Sequence, residues 1–201
     1  MIEFILNNKL IQTNELPGSI LLDFIRKNEK LYGTKIGCRE GDCGACTVLA
    51  GSLINDEVQY QTVVSCLTPL GNIAGKHVVT IEGINGECRA ETDNNHEFAS
   101  DRVTRQFLNK NNPKLNKNTL SPVQSAFVNE NATQCGFCSP GFVVSLTGFS
   151  LSSKKTRATA INSVAGNICR CTGYKSIERA VSIIVKKLRE KKKLTINNVG
   201  Q

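Results

Sequence analysis

Residues 37–48, GCREGDCGACTV, bring three cysteines together in the chain, with four and then two residues between them. A fourth cysteine follows after nineteen further residues. Glycine lets a backbone turn tightly and approach another group closely, and three lie in this stretch: Gly37, Gly41 and Gly44. Such a loop can turn thiolates inward and aim backbone N–H groups at sulfur, which stabilises negative charge. The stretch therefore predicts a metal-binding loop built from Cys38, Cys43, Cys46 and Cys66.

The spacing of these four cysteines indicates which metal group they bind. C-x4-C-x2-C with a distant fourth cysteine is the plant-type ferredoxin spacing for a [2Fe-2S] cluster. The chain has nine cysteines, and its first residues, MIEFILNNKLIQ, are expected to form a strand and not a secretory signal. A disulfide framework does not suit such a chain, because the cytosol keeps thiols reduced and clustered cysteines there usually bind metal or do redox work.

A second set of four cysteines lies in residues 134–141, QCGFCSPG, and residues 166–174, GNICRCTGY. Its members form a C-x2-C pair and a C-x-C pair, with thirty residues between the pairs: Cys135, Cys138, Cys169 and Cys171. Ser139 and Pro140 predict a helix N-cap and first turn directly after the first pair. A second [2Fe-2S] cluster is the favoured ligand, and a zinc ion remains the alternative for this set.

Three further residues of metal-binding type have no partner motif. Cys88 is left over from the two sets and is expected to be a thiol without a role. His77 and His96 lie apart from every cysteine motif, so the sequence does not support Rieske-type ligation. We expect His77 to be structural, because it lies in the strand-like HVVTI.

Composition and charge exclude several classes of protein. Hydrophobic residues make up 40% and charged residues 21% of the 201 residues, which is ordinary for globular chains, and no apolar run is long enough to span a bilayer. Of the formal charge of +8, a net +6 lies in residues 175–193. One basic terminal helix indicates a solvated face or an acidic partner, and does not identify a nucleic-acid binder. A cytoplasmic protein without membrane insertion is expected.

Hydrophobic periodicity divides the chain into unlike halves. Residues 1–84 are predicted to form a small mixed sheet around one short helix, SILLDFIRKN, with strands at MIEFIL, KLIQT, CTVLA, EVQYQTVV and HVVTIEG. Residues 85–119 are rich in Asn and predict an extended connection. Residues 120–193 predict helices, the first with a capping box in Ser121-Pro122-Val123-Gln124 and the last from Ile177 to Leu188. Residues 194–201 form the tail. The predicted fold class is α+β.

The three cysteine motifs together resemble those of the iron-sulfur subunit of molybdenum hydroxylases, the xanthine dehydrogenase and aldehyde oxidase family. Stretches such as SCLTPLGNIAGKHVVTIEGI are most similar to xanthine dehydrogenase within that family. The resemblance implies a β-grasp ferredoxin-like domain followed by a four-helix bundle, each with one [2Fe-2S] cluster. The Asn-rich connection is longer than the resemblance implies, and Ser139 stands where Thr is more usual.

The resemblance also implies partners and a direction of electron flow. Electrons would come from a molybdopterin-bearing catalytic chain and leave to an FAD-binding chain or domain. Gln134 and Cys171 would contact the pterin, whereas the side chain of Gln134 by itself suggests only a local hydrogen bond to backbone. No acid–base pair or phosphate-binding motif is evident in this chain, so catalysis is expected on a partner. A stand-alone ferredoxin and a zinc-stabilised interaction module are the alternatives.

Overall fold

The computed structural model describes residues 1–55, 57–85, 120–152 and 156–197. The predicted connection, together with Cys88 and His96, lies outside these residues apart from position 85. No helix of the described segments combines the length and apolarity that crossing a membrane requires.

Five strands form one mixed sheet in the first half of the chain, in the order β2-β1-β5-β3-β4. The strands are β1 (Ile2–Leu6), β2 (Lys9–Thr13), β3 (Thr47–Ile54), β4 (Glu57–Val64) and β5 (His77–Val79). β1 and β5 run parallel, and the other pairs are antiparallel. The α+β class is confirmed. The last predicted strand is shorter than expected, because its TIEG end turns into a 3₁₀ helix at Ile81–Asn85.

The helix predicted at SILLDFIRKN has an irregular form. It begins as α1 (Leu21–Asp23) and continues as a π-helical segment, Phe24–Asn28, so Ser19 does not cap it. Its apolar side chains pack on one face of the sheet, where they join the fully buried Val48 and Val78. This packing confirms the predicted sheet and helix, although the helix is irregular.

In segments 120–152 and 156–197, four helices share a separate core. They are α2 (Pro122–Asn129), α3 (Ser139–Leu151), α4 (Arg157–Ser163) and α5 (Tyr174–Asn197). The predicted capping box of Ser121 and Gln124 is present at the start of α2. Cys138, and not Ser139, occupies the N-cap position of α3; the Ser139 hydroxyl instead shares a hydrogen bond with that of Thr133. α5 extends beyond the predicted Ile177–Leu188 at both ends.

Helix α3 also covers the second face of the sheet, so the two halves pack against each other. Val144 on α3 joins Leu49 and Val79 in one buried cluster. Gly148 lets the helix approach closely, since a Cβ there would lie 2.8 Å from Thr62 Cγ2 and 2.9 Å from Leu49 Cδ2. The strand β3 is therefore buried on both faces, by Val48 on one side and Leu49 on the other.

His77 is a structural residue of this sheet, as its sequence context predicted. Its Nε2 faces the Asn7 carbonyl at 2.7 Å and therefore carries the proton, and its Nδ1 accepts from the Tyr60 hydroxyl at 2.8 Å. Burial lowers the pKa of His77 to about 4. The imidazole thus stays neutral at pH 7. From β5 it connects Asn7, which follows β1, to Tyr60 on β4.

Gly141→Ala tests the close packing of the two halves. A Cβ at position 141 would overlap the Gly44 carbonyl oxygen, which is backbone and cannot rotate away. We expect a loss of about 1–3 kcal/mol in the free energy of unfolding, as for overpacked cores, measured by denaturant titration. Gly166→Ala is the matched control, because a Cβ there meets nothing within 4 Å. Equal stability of the two variants would contradict the close approach.

Candidate iron-sulfur sites

The first thiol set is held by a loop of left-handed turns between α1 and β3. Arg39, Gly41 and Gly44 have φ angles of 61°, 86° and 69°. Within this loop the backbone N–H groups of Glu40 and Cys43 both donate to the Sγ of Cys38 at 3.4 Å. The loop therefore aims backbone dipoles at sulfur, as its glycines predicted.

The other two thiols of this set are buried below the loop. Cys46 directly precedes β3, and Cys66 lies in a 3₁₀ turn after β4, Ser65–Leu67. The two segments are tied together because Ser65 donates from its N–H (3.3 Å) and its hydroxyl (2.7 Å) to the Cys46 carbonyl. Cys46 and Cys66 lie in one buried cluster, and Cys38 is close enough for its charge to act on Cys66. The structure thus brings the four predicted residues together.

The electrostatics differ between the rim and the base of the first set. Hydrogen bonds from the backbone of Glu40 and Cys43 lower the pKa of the Cys38 thiol to about 7. Burial, followed by the hydrogen bond with Cys46, raises the pKa of Cys66 to about 11. In the metal-free chain the Cys38 thiol is therefore about half ionised at pH 7, and the Cys66 thiol stays protonated until a metal displaces its proton.

An ion pair anchors the rim of the first loop. The guanidinium of Arg39 donates to both carboxylate oxygens of Asp23 on α1, at 2.8 and 3.1 Å. This contact lowers the pKa of Asp23. Bidentate pairs of this kind fix geometry as well as charge. Neither residue was singled out from the sequence, although Arg39 lies inside the cysteine motif.

The second thiol set surrounds a small cavity beside the start of α3. All four of its cysteines line this cavity, together with residues that include Gln134 and Phe142. Cys169 and Cys171 have their sulfurs 3.5 Å apart. Burial, followed by the neighbouring Cys169 thiol, raises the pKa of Cys138 to about 11. The predicted residues of this set are therefore also brought together.

The donor atoms of each set bear on the kind of metal group. Each set is made of four cysteines, none of which is in a disulfide. Four cysteines are the ligands of a plant-type two-iron cluster. The donor set therefore fits a [2Fe-2S] cluster at each site.

The side chain of Gln134 makes the local contact that its own chemistry suggested. Its Nε2 donates to the carbonyl oxygen of Cys171 at 2.9 Å and so joins the two cysteine motifs of the second set. An amide can form further hydrogen bonds through its oxygen and its second N–H. The pterin contact implied by the resemblance stays a prediction.

Two hydrogen bonds connect the first thiol set to the second. The N–H of Ile168 donates to the Cys43 carbonyl at 3.4 Å, and Nδ2 of the buried Asn167 donates to the Gly44 carbonyl at 3.0 Å. Asn167 was missed from the sequence, although it lies in GNICRC, because its partner is 123 residues away in the chain.

The comparisons with known proteins match one [2Fe-2S] binding domain to each half of the chain. A family model described as a 2Fe-2S iron-sulfur cluster binding domain matches residues 4–71. Another, described as a [2Fe-2S] binding domain, matches residues 107–182. The first match contains the first thiol set and the second contains the other set. The chain binds two [2Fe-2S] clusters.

Relatives with known names place these two domains in one family. Xanthine dehydrogenase of Blastobotrys adeninivorans is 38% identical over 82% of the chain and 10% of its own length. Aldehyde oxidase 1 of Bos taurus is 32% identical over 91% of the chain and 12% of its own length. The chain belongs to the xanthine dehydrogenase and aldehyde oxidase family, as its iron-sulfur portion. It spans about a tenth of the length of these curated relatives.

One of the matching solved structures is a chain of about the same length as this one. A chain of quinoline 2-oxidoreductase from Pseudomonas putida 86 has a TM-score of 0.66 and 26% identity, and the match covers 94% of this chain and 95% of that one. The aldehyde oxidoreductase from Desulfovibrio gigas matches with a TM-score of 0.67 and 29% identity, over 95% of this chain but 18% of its own. In this family the iron-sulfur portion thus occurs both as a short chain and within a long one.

Thiol labelling of the metal-free chain tests the electrostatics of the first site. At pH 7.5 we expect iodoacetamide to modify Cys38 at least about 100-fold faster than Cys66, because only the thiolate reacts. Raising the pH should leave the rate at Cys38 nearly constant and increase that at Cys66 by about tenfold per unit. Peptide mass spectrometry gives both rates. The chain in denaturant is the control, where the rates should converge; equal rates in the folded chain would contradict the assignment.

Proposed function

We propose that this chain is the electron-transfer part of a molybdenum hydroxylase. Cys38, Cys43, Cys46 and Cys66 would hold one [2Fe-2S] cluster, and Cys135, Cys138, Cys169 and Cys171 the other. When bound, these clusters accept and release single electrons. The observation that carries the proposal is that each set of four thiols lies within one matched [2Fe-2S] domain. In finer detail, the sheet half would be a β-grasp domain and the helical half a four-helix bundle.

The contact between the two loops supports passage of electrons within the chain. The backbone of Cys43 accepts a hydrogen bond from Ile168, which directly precedes Cys169. A residue of the first set is thus joined through one hydrogen bond to a neighbour of the second. This hydrogen bond holds the two loops in contact with each other, as a fixed electron path requires.

Exposed apolar side chains beside the thiol sets support two separate partners. Phe137, Ile168 and Tyr174 lie at the second set, and Leu67 packs near Gly41 at the first. Large apolar groups that remain exposed beside functional residues are typical of interaction surfaces. We propose that the second set faces a molybdopterin-bearing catalytic chain and the first set an FAD-binding chain or domain. Electrons would enter at the second set and leave from the first.

The relatives suggest which enzyme the chain serves. Xanthine dehydrogenases and aldehyde oxidases both match it, and the xanthine dehydrogenase of Blastobotrys adeninivorans is more similar to it in sequence than the bovine aldehyde oxidase. We therefore propose a xanthine dehydrogenase-like complex that works in the cytoplasm. The substrate site would lie on the molybdopterin-bearing partner, and residues of this chain would bind, position and connect the redox groups.

Metal analysis tests the two-cluster assignment. Fully loaded chain should contain about four iron and four sulfide atoms, because each [2Fe-2S] cluster has two of each. Cys43→Ser should lose the first cluster and Cys138→Ser the second, each with destabilisation of its own half, because metal binding contributes to folding. Cys88→Ser is the control and should lose neither. Half the iron in wild-type protein, or zinc in its place, would contradict the proposal.

Gln134→Ala in the assembled enzyme tests the proposed entry point for electrons. Rapid-mixing spectroscopy should show substrate-driven reduction of the second cluster slowed by about tenfold, as for other residues that orient redox and metal groups. The absorbance of both clusters should be unchanged before mixing. Gln59→Ala, an exposed change on β4, is the matched control. A wild-type rate in Gln134→Ala would show that electrons do not depend on this contact.

A further inference from the structure

Arg170 lies between the two cysteines of the C-x-C motif, and its side chain is held on several sides. Its guanidinium carbon is 5.5 Å from the ring centroid of Phe142 and 5.2 Å from that of Tyr174. Its Nη1 donates to the carbonyl oxygens of Asn167 and, at 2.8 Å, of Cys169. A planar cation between two aromatic faces, fixed by carbonyl oxygens, has little freedom to turn toward water.

The charge of Arg170 is not neutralised locally. Among the described segments it forms no ion pair with a carboxylate, whereas Arg39 in the first motif is paired with Asp23 at 2.8 Å. Its hydrogen-bond partners are neutral carbonyl groups and its neighbours are aromatic rings. A partly buried charge of this kind is screened by solvent much less than an exposed one. Its charge acts on the thiol of the adjacent Cys169.

We propose that Arg170 raises the reduction potential of the second cluster. This inference rests on the proposed function, because it requires a cluster on Cys135, Cys138, Cys169 and Cys171. Each electron that arrives there adds one negative charge to a group that four thiolates already make negative. A fixed positive charge beside Cys169 stabilises the reduced form more than the oxidised form. Arg170 thus favours the arrival of electrons at the set that is proposed to receive them first.

The contacts of the guanidinium explain why arginine suits this position better than lysine. The guanidinium can stack on Phe142 and Tyr174 while one nitrogen reaches two carbonyl oxygens, and an ammonium group cannot do both in the same geometry. A lysine in place of Arg170 would keep the charge but would carry it on a flexible and more strongly hydrated side chain. The potential should therefore depend on the fixed position of the charge as well as on its sign.

Redox titration of the full chain with both clusters, followed by electron paramagnetic resonance, tests the proposal. Cys138→Ser identifies the signal of the second cluster by its loss. Arg170→Gln should lower the reduction potential of the second cluster by about 59 mV. For a one-electron couple this is about a tenfold change in the equilibrium constant for reduction. Arg170→Lys should shift it by less, and the first cluster should keep its potential in both variants. Lys175→Gln is the control for lost charge, because Lys175 is exposed and paired with Glu178.

Each outcome of this titration supports or overturns a defined statement. A wild-type potential for the second cluster in Arg170→Gln overturns the inference and leaves the proposed function intact. Absence of a second cluster from the wild type overturns the proposed function, and the inference with it. If the second cluster does not assemble in Arg170→Gln, Tyr174→Leu provides the test. Tyr174 is exposed, and its replacement frees the guanidinium without removing it. The potential should then fall by a smaller amount, and an unchanged potential overturns the inference.

Discussion

The Gly44 carbonyl is the group on which the relation between the two halves depends. It accepts hydrogen bonds from the Thr47 hydroxyl at 2.7 Å, within its own loop, and from Asn167 at 3.0 Å, across the interface. A buried carbonyl without partners would cost about 1–3 kcal/mol, and these two donors, together with the Thr47 N–H at 3.3 Å, satisfy it once the halves close over it. Glycine at position 141 is required for the same reason, because any side chain there would displace this oxygen.

The two sites share one physical plan despite their different folds. Each combines a sulfur at the rim that accepts hydrogen bonds with a less accessible thiol that holds its proton strongly in the metal-free chain. That thiol is the buried Cys66 in one case and the partly buried Cys138 in the other. Ligation must displace these protons, so cluster binding is coupled both to pH and to the closing of each core around the metal group. The small cores alone leave such domains with modest stability.

Local patterns in the sequence predicted well those features whose deciding residues lie close together in the chain. The hairpin at the N-terminus, the capping box at Ser121 and the grouping of both cysteine sets follow from alternation, turn residues and spacing. The π-helical segment at Phe24–Asn28 was not predicted, because packing on the sheet decides the path of a short helix more than its propensity does. Cys138 is the N-cap residue of α3 in place of the predicted Ser139, whose hydroxyl shares a hydrogen bond with that of Thr133. Contacts such as Asn167 with Gly44 join distant segments, and one sequence carries no signal for them.

That distant contact has a consequence while the chain is being synthesised. A ribosome releases Gly44 long before Asn167, which lies 123 residues later. The loop around Cys43 therefore emerges without the donor that completes it, and the sheet waits with one apolar face uncovered until α3 arrives. Contacts of such long separation form slowly. While the rest of the chain is being translated, the N-terminal half is thus an incomplete iron site. During this time, reducing conditions around it must keep its thiols from oxidation.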